Sequence, residues 1–253
     1  MDYINAFWVG GVICALVQIL MEKTKMLPDS YSDISDRCER VLPESEGVDS
    51  ADIAKLLQKI KNDRSLNMHS MVIMRRGKVL FECGFGDYSP CIPQMTYSAC
   101  KSIVSLAIGM LIDDGKIALS DRAVDILGVK NKLIPQIVHR DITVENLLTM
   151  SSGVAFSEAD SVTESDWVKG FFESTKKFEA GKKFEYNSMN TYILSAIVRA
   201  AAKMSLSDFL RQRLFLLLGI QDWFWEKSPD GIEKGGWGLY IRPEDMGKIG
   251  TML

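Results

Sequence analysis

The chain has 253 residues, 47% of them hydrophobic and 25% charged, and a net charge of −3. That length is enough for one or two domains with a proper core, and the composition excludes a disordered or low-complexity chain. The slightly acidic balance gives no reason to expect nucleic acid as a partner.

Ile4 to Met21 is almost uninterrupted apolar sequence of 18 residues, with Asn5 and Gln18 as its polar members. This is the short end of what crosses a hydrocarbon layer of ~30 Å. The alternatives are a buried core helix or the apolar part of a cleaved signal. A cleaved signal begins with Lys or Arg and ends in small residues. Here Met-Asp-Tyr precedes the run and Glu22-Lys23-Thr24-Lys25 follows it. A retained single-pass membrane helix over 1–27 is therefore expected, inserted through residues 4–21. Lys23 and Lys25, set against one terminal amine, tilt the downstream chain slightly towards the cytoplasmic side.

Residues 28–50, broken by Pro28, Pro43 and Gly47, are expected to be a linker or irregular arm. From 51 to 253 the pattern is that of an α+β domain. Ile53, Leu56, Leu57 and Ile60 give Asp52–Lys61 an amphipathic helical face. Met71–Met74 and Val79–Phe81 are strand-like, and Gly77 between them signals a hairpin. A helix is expected over Ser98–Ile112, closed by Asp113-Asp114-Gly115. Further helices are expected over 144–150, 167–172, 191–203 and 206–218. A strand is expected over 236–241, and Pro243 stands at the first position of a last helix. The helix-rich stretch, about 121–235, reads as a helical subdomain inserted in an α+β unit.

Ser98-Ala99-Cys100-Lys101 carries the sharpest chemistry. Residues three apart on a helix share a face, so the Ser98 hydroxyl and the Lys101 amine can meet. Ile103, Val104, Leu106, Ala107, Ile108, Met110, Leu111 and Ile112 make this helix apolar on nearly every side, as in a buried helix. Desolvation lowers an amine's pKa, which makes Lys101 a possible base for a Ser98 nucleophile. An N-cap serine followed by a solvated lysine is the ordinary alternative. Tyr186-Asn187-Ser188, after the turn at Gly181, offers a phenol to relay a proton between Ser98, Lys101 and a leaving group. His69 and His139 read as structural or surface residues. Five cysteines without CxxC or Cys/His spacing, and two distant histidines, argue against a structural metal or a disulfide framework. No metal or cofactor is expected, and free thiols suit a reducing compartment.

Two resemblances follow from these segments. Asp2-Tyr3-Ile4-Asn5-Ala6-Phe7-Trp8-Val9-Gly10-Gly11, with Gln18-Ile19-Leu20 and Lys23-Thr24-Lys25, resembles the first membrane helix of the stage V sporulation protein AE family. From Gly47 to Leu253 the chain resembles the class C β-lactamase-like, penicillin-recognising serine hydrolases. The segments that carry this are His69 to Ile73 with Arg76-Gly77-Lys78, Tyr97 to Ser102, Asp113 to Lys116 with Leu119-Ser120-Asp121, Ile142 to Gly153, Phe184 to Ser188 and Gly236 to Tyr240.

The resemblance implies a β-lactamase/transpeptidase-like fold, an antiparallel sheet flanked by helices plus a helical domain. It also implies an acyl-enzyme on Ser98, with Lys101 and Tyr186 as proton-handling partners and Ser188 as a substrate-binding residue. The substrate would be a small molecule or peptide with an amide or ester carbonyl. Many members have Asn where this chain has Ser188, and that favours the ester- or amide-hydrolysing branch over efficient penicillinase action. Family members also carry Lys-Thr-Gly or His-x-Gly on a late strand that supplies an oxyanion N–H. No such motif follows Tyr186. The expectation is a domain lacking its C-terminal strands, and loss of one oxyanion donor costs ~100-fold or more in rate. Two rivals stand beside the hydrolase: a catalytically incompetent relic, and a sporulation-type membrane protein whose N-terminal helix is the functional part.

Overall fold

The computed structural model describes residues 37–129 and 139–253. The expected membrane helix lies outside the described residues, among which no helix is long and apolar enough to cross a membrane. In chain order the elements begin with α1 (Ser50–Asn62), β1 (Ser70–Arg75), β2 (Lys78–Gly84) and β3 (Gln94–Met95). Next come α2 (Cys100–Asp113), α3 (Ala123–Ile126), α4 (Val144–Leu148), α5 (Trp167–Glu173), α6 (Ser188–Ala202) and α7 (Leu206–Leu210). The described chain closes with β4 (Trp223–Trp225), β5 (Leu239–Ile241) and α8 (Pro243–Met252). They divide into two compact units, one built from 96–213 and 225–239, the other from 37–95, 214–224 and 240–253.

The first unit is helical. Its centre is α2 against α6, with α3, α4, α5 and α7 also packed on α6. Ile103, Leu106, Ile108 and Leu111 of α2 and Met189, Tyr192 and Ile193 of α6 are fully buried, so neither helix has a polar stripe of any width. The N-cap side chain of Asn187 accepts from Met189 N and starts α6 at Ser188, three residues before the expected Thr191. Thr143 and Asn146 cap the start of α4 reciprocally. The helix expected over 206–218 is interrupted. An α-helical turn ends at Leu210 and a π-helical turn follows over Arg211–Phe215. Hydrophobic periodicity cannot distinguish these, because both bury one side. The predicted strand over 236–241 shortens to β5, since Gly235 and Gly238 have left-handed φ values of 65° and 78°.

The second unit holds the hairpin. β1 and β2 pair antiparallel from Ser70↔Gly84 to Arg75↔Lys78, with a register shift between Ile73 and Met74. Arg76 and Gly77 both take positive φ, 53° and 76°, as the tight twist-matched hairpin turn requires. Pro243 opens α8 as expected, and α8 lies on β1 so closely that a Cβ at Gly247 would overlap the Met74 sulfur. The short β3 pairs antiparallel with β5.

The described part of the expected linker is irregular but clasped. Val79 N donates to Glu39 O (2.8 Å) and Val41 N to Val79 O (3.1 Å), which fastens the arm along β2. The Glu244 side chain, fully buried on α8, accepts from Arg40 (2.7 Å) and Arg37 (3.0 Å) and from the backbone N–H of Cys38. Burial pushes this carboxyl up, but the bonds from Arg40 and Cys38 and the two arginine charges outweigh it and hold its pKa down at about 2. A depressed folded-state pKa means the stabilisation is present above the ordinary value of 4.5 and is lost as pH falls towards about 2. Glu244→Gln should therefore cost up to about 3 kcal/mol at neutral pH, with the arginines partly in water. In denaturant melts the gap between native and variant should close below pH 4.5. A gap that stays constant down to about pH 2 would show that the carboxylate charge is not what matters.

Candidate active site

The first unit contains every residue of the candidate site. The chain enters it through Thr96, whose N–H and hydroxyl both donate to Leu239 O, at 2.8 and 3.0 Å. Tyr97 then turns with φ at 46°, a left-handed conformation that a bulky side chain adopts only when its surroundings hold it there. Ser98 follows in a 3-10 turn, Tyr97–Ala99, that runs straight into α2, and it is exposed to solvent. The expected single helix from Ser98 is thus a tight turn plus an α-helix. This aims the serine outward while Cys100 and the residues after it go into the core.

Lys101 Nζ lies 3.0 Å from Ser98 Oγ, as the spacing on one face predicts. It also donates to Gly236 O at 2.6 Å and stands 5.0 Å from the centre of the Tyr186 ring. The Tyr186 hydroxyl donates to Ser98 Oγ at 2.7 Å. Three of the four residues singled out from the sequence therefore meet at one oxygen atom. Burial pushes the Tyr186 phenol up, but hydrogen bonds with Lys101 and Ser98, the Lys101 charge and a bond with Ser188 outweigh it. The net effect holds the phenol below its ordinary value of 10.0.

Ser188, the fourth, borders the cleft that opens beside Tyr186. It is 3% exposed and opens α6, with its carbonyl and Cβ pressed against Gly236. The amide of the intervening Asn187 turns away from Ser98 and donates to Val154 O (3.2 Å) and Phe156 O (2.9 Å). His139 is fully buried, with Nε2 at 3.0 Å from Ser174 O, and burial holds its pKa below the ordinary range. His69, in the other unit, stacks on Tyr88 at 3.7 Å.

Sequence reasoning singled out Gly236 to Tyr240 as a family-like segment but missed that it anchors Lys101 through the Gly236 carbonyl. Gly235 and Gly236 pass directly over α6. A Cβ at Gly235 would come within 2.8 Å of Thr191 O, and one at Gly236 within 2.7 Å of Ser188 O. The flanking chain is a closed loop. Glu226 N donates to Gly238 O and Lys234 N to Glu226 O, and the Lys234–Glu226 ion pair closes at 2.6 Å. Trp225 Nε1 donates to Trp237 O at 2.9 Å. The glycine density of Lys234-Gly235-Gly236-Trp237-Gly238 was the available signal. Beside Tyr186 opens a cleft of about 290 Å³, bordered also by Ser157, Glu158 and the Lys177–Glu185 ion pair.

Residues 53–249 match the family model described as Beta-lactamase, and residues 2–40 match that of the SpoVAC/SpoVAEB sporulation membrane proteins. No curated protein matches the chain. Several solved structures share the fold. A putative 6-aminohexanoate-dimer hydrolase from Bacillus anthracis is 18% identical, with a TM-score of 0.64 over 78% of this chain and 55% of that one. The octameric penicillin-binding protein homologue from Pyrococcus abyssi is 19% identical, with a TM-score of 0.65 over 81% and 56%. FmtA from Staphylococcus aureus is 18% identical, with a TM-score of 0.65 over 92% and 71%. The chain thus spans just over half the length of the first two.

The geometry around Tyr186 is testable by titration. The native-minus-Tyr186→Phe difference spectrum should show phenolate forming below pH 10.0. Lys101→Met should move that transition upward, since burial then acts with less opposition. An unchanged transition in the Lys101 variant would mean that the amine does not control the phenol.

Proposed function

The chain belongs to the beta-lactamase family, and we propose that it is an acyl-serine hydrolase acting on amide or ester bonds through Ser98. The observation that carries this reading is the convergence of Tyr186 and Lys101 on Ser98 Oγ, at 2.7 and 3.0 Å. In the resting arrangement the phenol donates to the serine. When the phenol has lost its proton the bond reverses, and the Ser98 hydroxyl donates to the phenolate. Attack of Oγ on a carbonyl carbon then passes the serine proton to Tyr186. The same proton goes to the departing alcohol or amine as the acyl–Ser98 ester forms. Water then attacks the ester and gives a proton to Tyr186, which passes it to the departing Ser98 oxygen as the carboxylic acid is released. Lys101, held by the Gly236 carbonyl, stays within hydrogen-bond reach of Ser98 Oγ and beside the Tyr186 ring. The cleft beside Tyr186 is suited to hold part of the acyl or leaving group.

The match over 2–40 supports a second part of the proposal, that residues 4–21 insert in a membrane and tether the hydrolase. In this reading the Lys23 and Lys25 pair slightly favours the cytoplasmic side for the hydrolase.

Incubation with a fluorescent penicillin or an activated ester should label Ser98, and Ser98→Ala should reduce labelling to background. Lys101→Ala should be nearly as severe, because groups that act as a unit are not additive. Undiminished labelling of the Ser98 variant would place the nucleophile elsewhere. Separately, deleting residues 1–27 should move the protein from the membrane fraction to the soluble one. A full-length chain that is already soluble and monomeric would end the tether idea.

A further inference from the structure

Cys100 lies between the nucleophile and the lysine, and the chemistry proposed for Ser98 makes no use of it. It is fully buried, and its sulfur sits 2.9 Å from Tyr97 O and 3.0 Å from Gly235 O. Burial pushes its pKa up to about 12, so the group is a thiol with one proton, shared between two carbonyl acceptors. One acceptor belongs to the left-handed residue directly before Ser98, the other to the first glycine of the segment that anchors Lys101. A left-handed tyrosine stores strain, and a strained turn keeps its shape only where neighbouring groups hold it.

We infer that Cys100 is a positioning residue: its thiol ties the strained Tyr97 turn to the Gly235–Gly236 segment and so fixes Ser98 Oγ where Tyr186 and Lys101 meet it. The inference rests on the acyl-serine reading for its consequence in rate, and on the geometry alone for its consequence in structure. Two adjacent residues of α2 thereby bind two adjacent carbonyls, Cys100 to Gly235 and Lys101 to Gly236. A slip of the glycine segment would disturb the turn and the lysine together. A buried cysteine can also be a small apolar filler with no polar role. The two accounts differ in what a residue of similar size without a donor does.

Cys100→Val keeps the bulk and removes the donor, whereas Cys100→Ser keeps a donor. The labelling rate of Ser98 at saturating activated ester should fall about tenfold in the valine variant, the scale of one lost buried hydrogen bond. The ester concentration for half-maximal rate should stay unchanged. The serine variant should recover the rate to within about threefold, since a hydroxyl is the stronger donor. Hydrogen exchange of the amides over 97–101 should be faster in Cys100→Val than in the native chain and near native in Cys100→Ser. Native rate and native exchange in the valine variant would overturn the inference. So would a serine variant as impaired as the valine one. If the native chain does not label at Ser98 at all, the acyl-serine reading fails, and the exchange rates alone decide the role of Cys100.

Discussion

The candidate site depends on one backbone carbonyl reaching one amine. Lys101 stands at the head of a helix whose remaining length is buried, and a lysine there could fold back on its own helix end or reach for solvent. The bond to Gly236 O at 2.6 Å fixes it instead beside Ser98 and the Tyr186 ring. That carbonyl can arrive only because residues 235 and 236 lack side chains, since a methyl at either position would collide with the backbone of α6. The glycine pair thus sets the distance between α6 and the nucleophile turn. Tyr186, two residues before α6 begins, is carried to Ser98 by the same packing.

The cost of this arrangement is met nearby. Tyr97 is left-handed, and so are Gly235 and Gly238 in the glycine segment. Against this strain stand Thr96 on Leu239 O, the Cys100 thiol on two carbonyls, and the loop closed by the Lys234–Glu226 pair. Below them lies an aromatic and aliphatic core in which Trp167 packs on Tyr192 and Trp237 at 5.0 and 5.8 Å. Buried apolar area contributes ~25 cal/mol per Å², so a few such rings outweigh strain of ~1–3 kcal/mol at one residue. The site is therefore polar and exposed at Ser98 while resting on a dry base.

The second unit shows a different balance. There a buried carboxylate, Glu244, gathers two arginines and a backbone N–H from an arm about two hundred positions earlier in the chain. Nothing local predicts such a pairing. An acidic residue in the first turn of a helix reads as a favourable partner of the helix dipole on the surface. Burial converts it into a clasp.

What the sequence determined by itself are the features written over short distances. The apolar run of α2, the Arg76-Gly77 turn and Pro243 at the head of α8 follow from periodicity and from which residues tolerate which φ. The Ser98–Lys101 contact belongs to the same class, because three residues on a helix bring two side chains together whatever the rest of the chain does. Tyr186 was legible only as part of a family-like pattern of segments, since it lies 88 positions from Ser98. Gly235, Gly236 and Cys100 stood in the sequence as a glycine pair at the head of an expected strand and a packing thiol. Their meaning is a matter of which surfaces touch across 135 positions, and the break of the 206–218 helix into α7 and a π turn is of the same kind. Local periodicity is set by covalent geometry and survives in any context. Close approach of backbone to backbone is set by how the whole unit packs, so only the tertiary structure decides it.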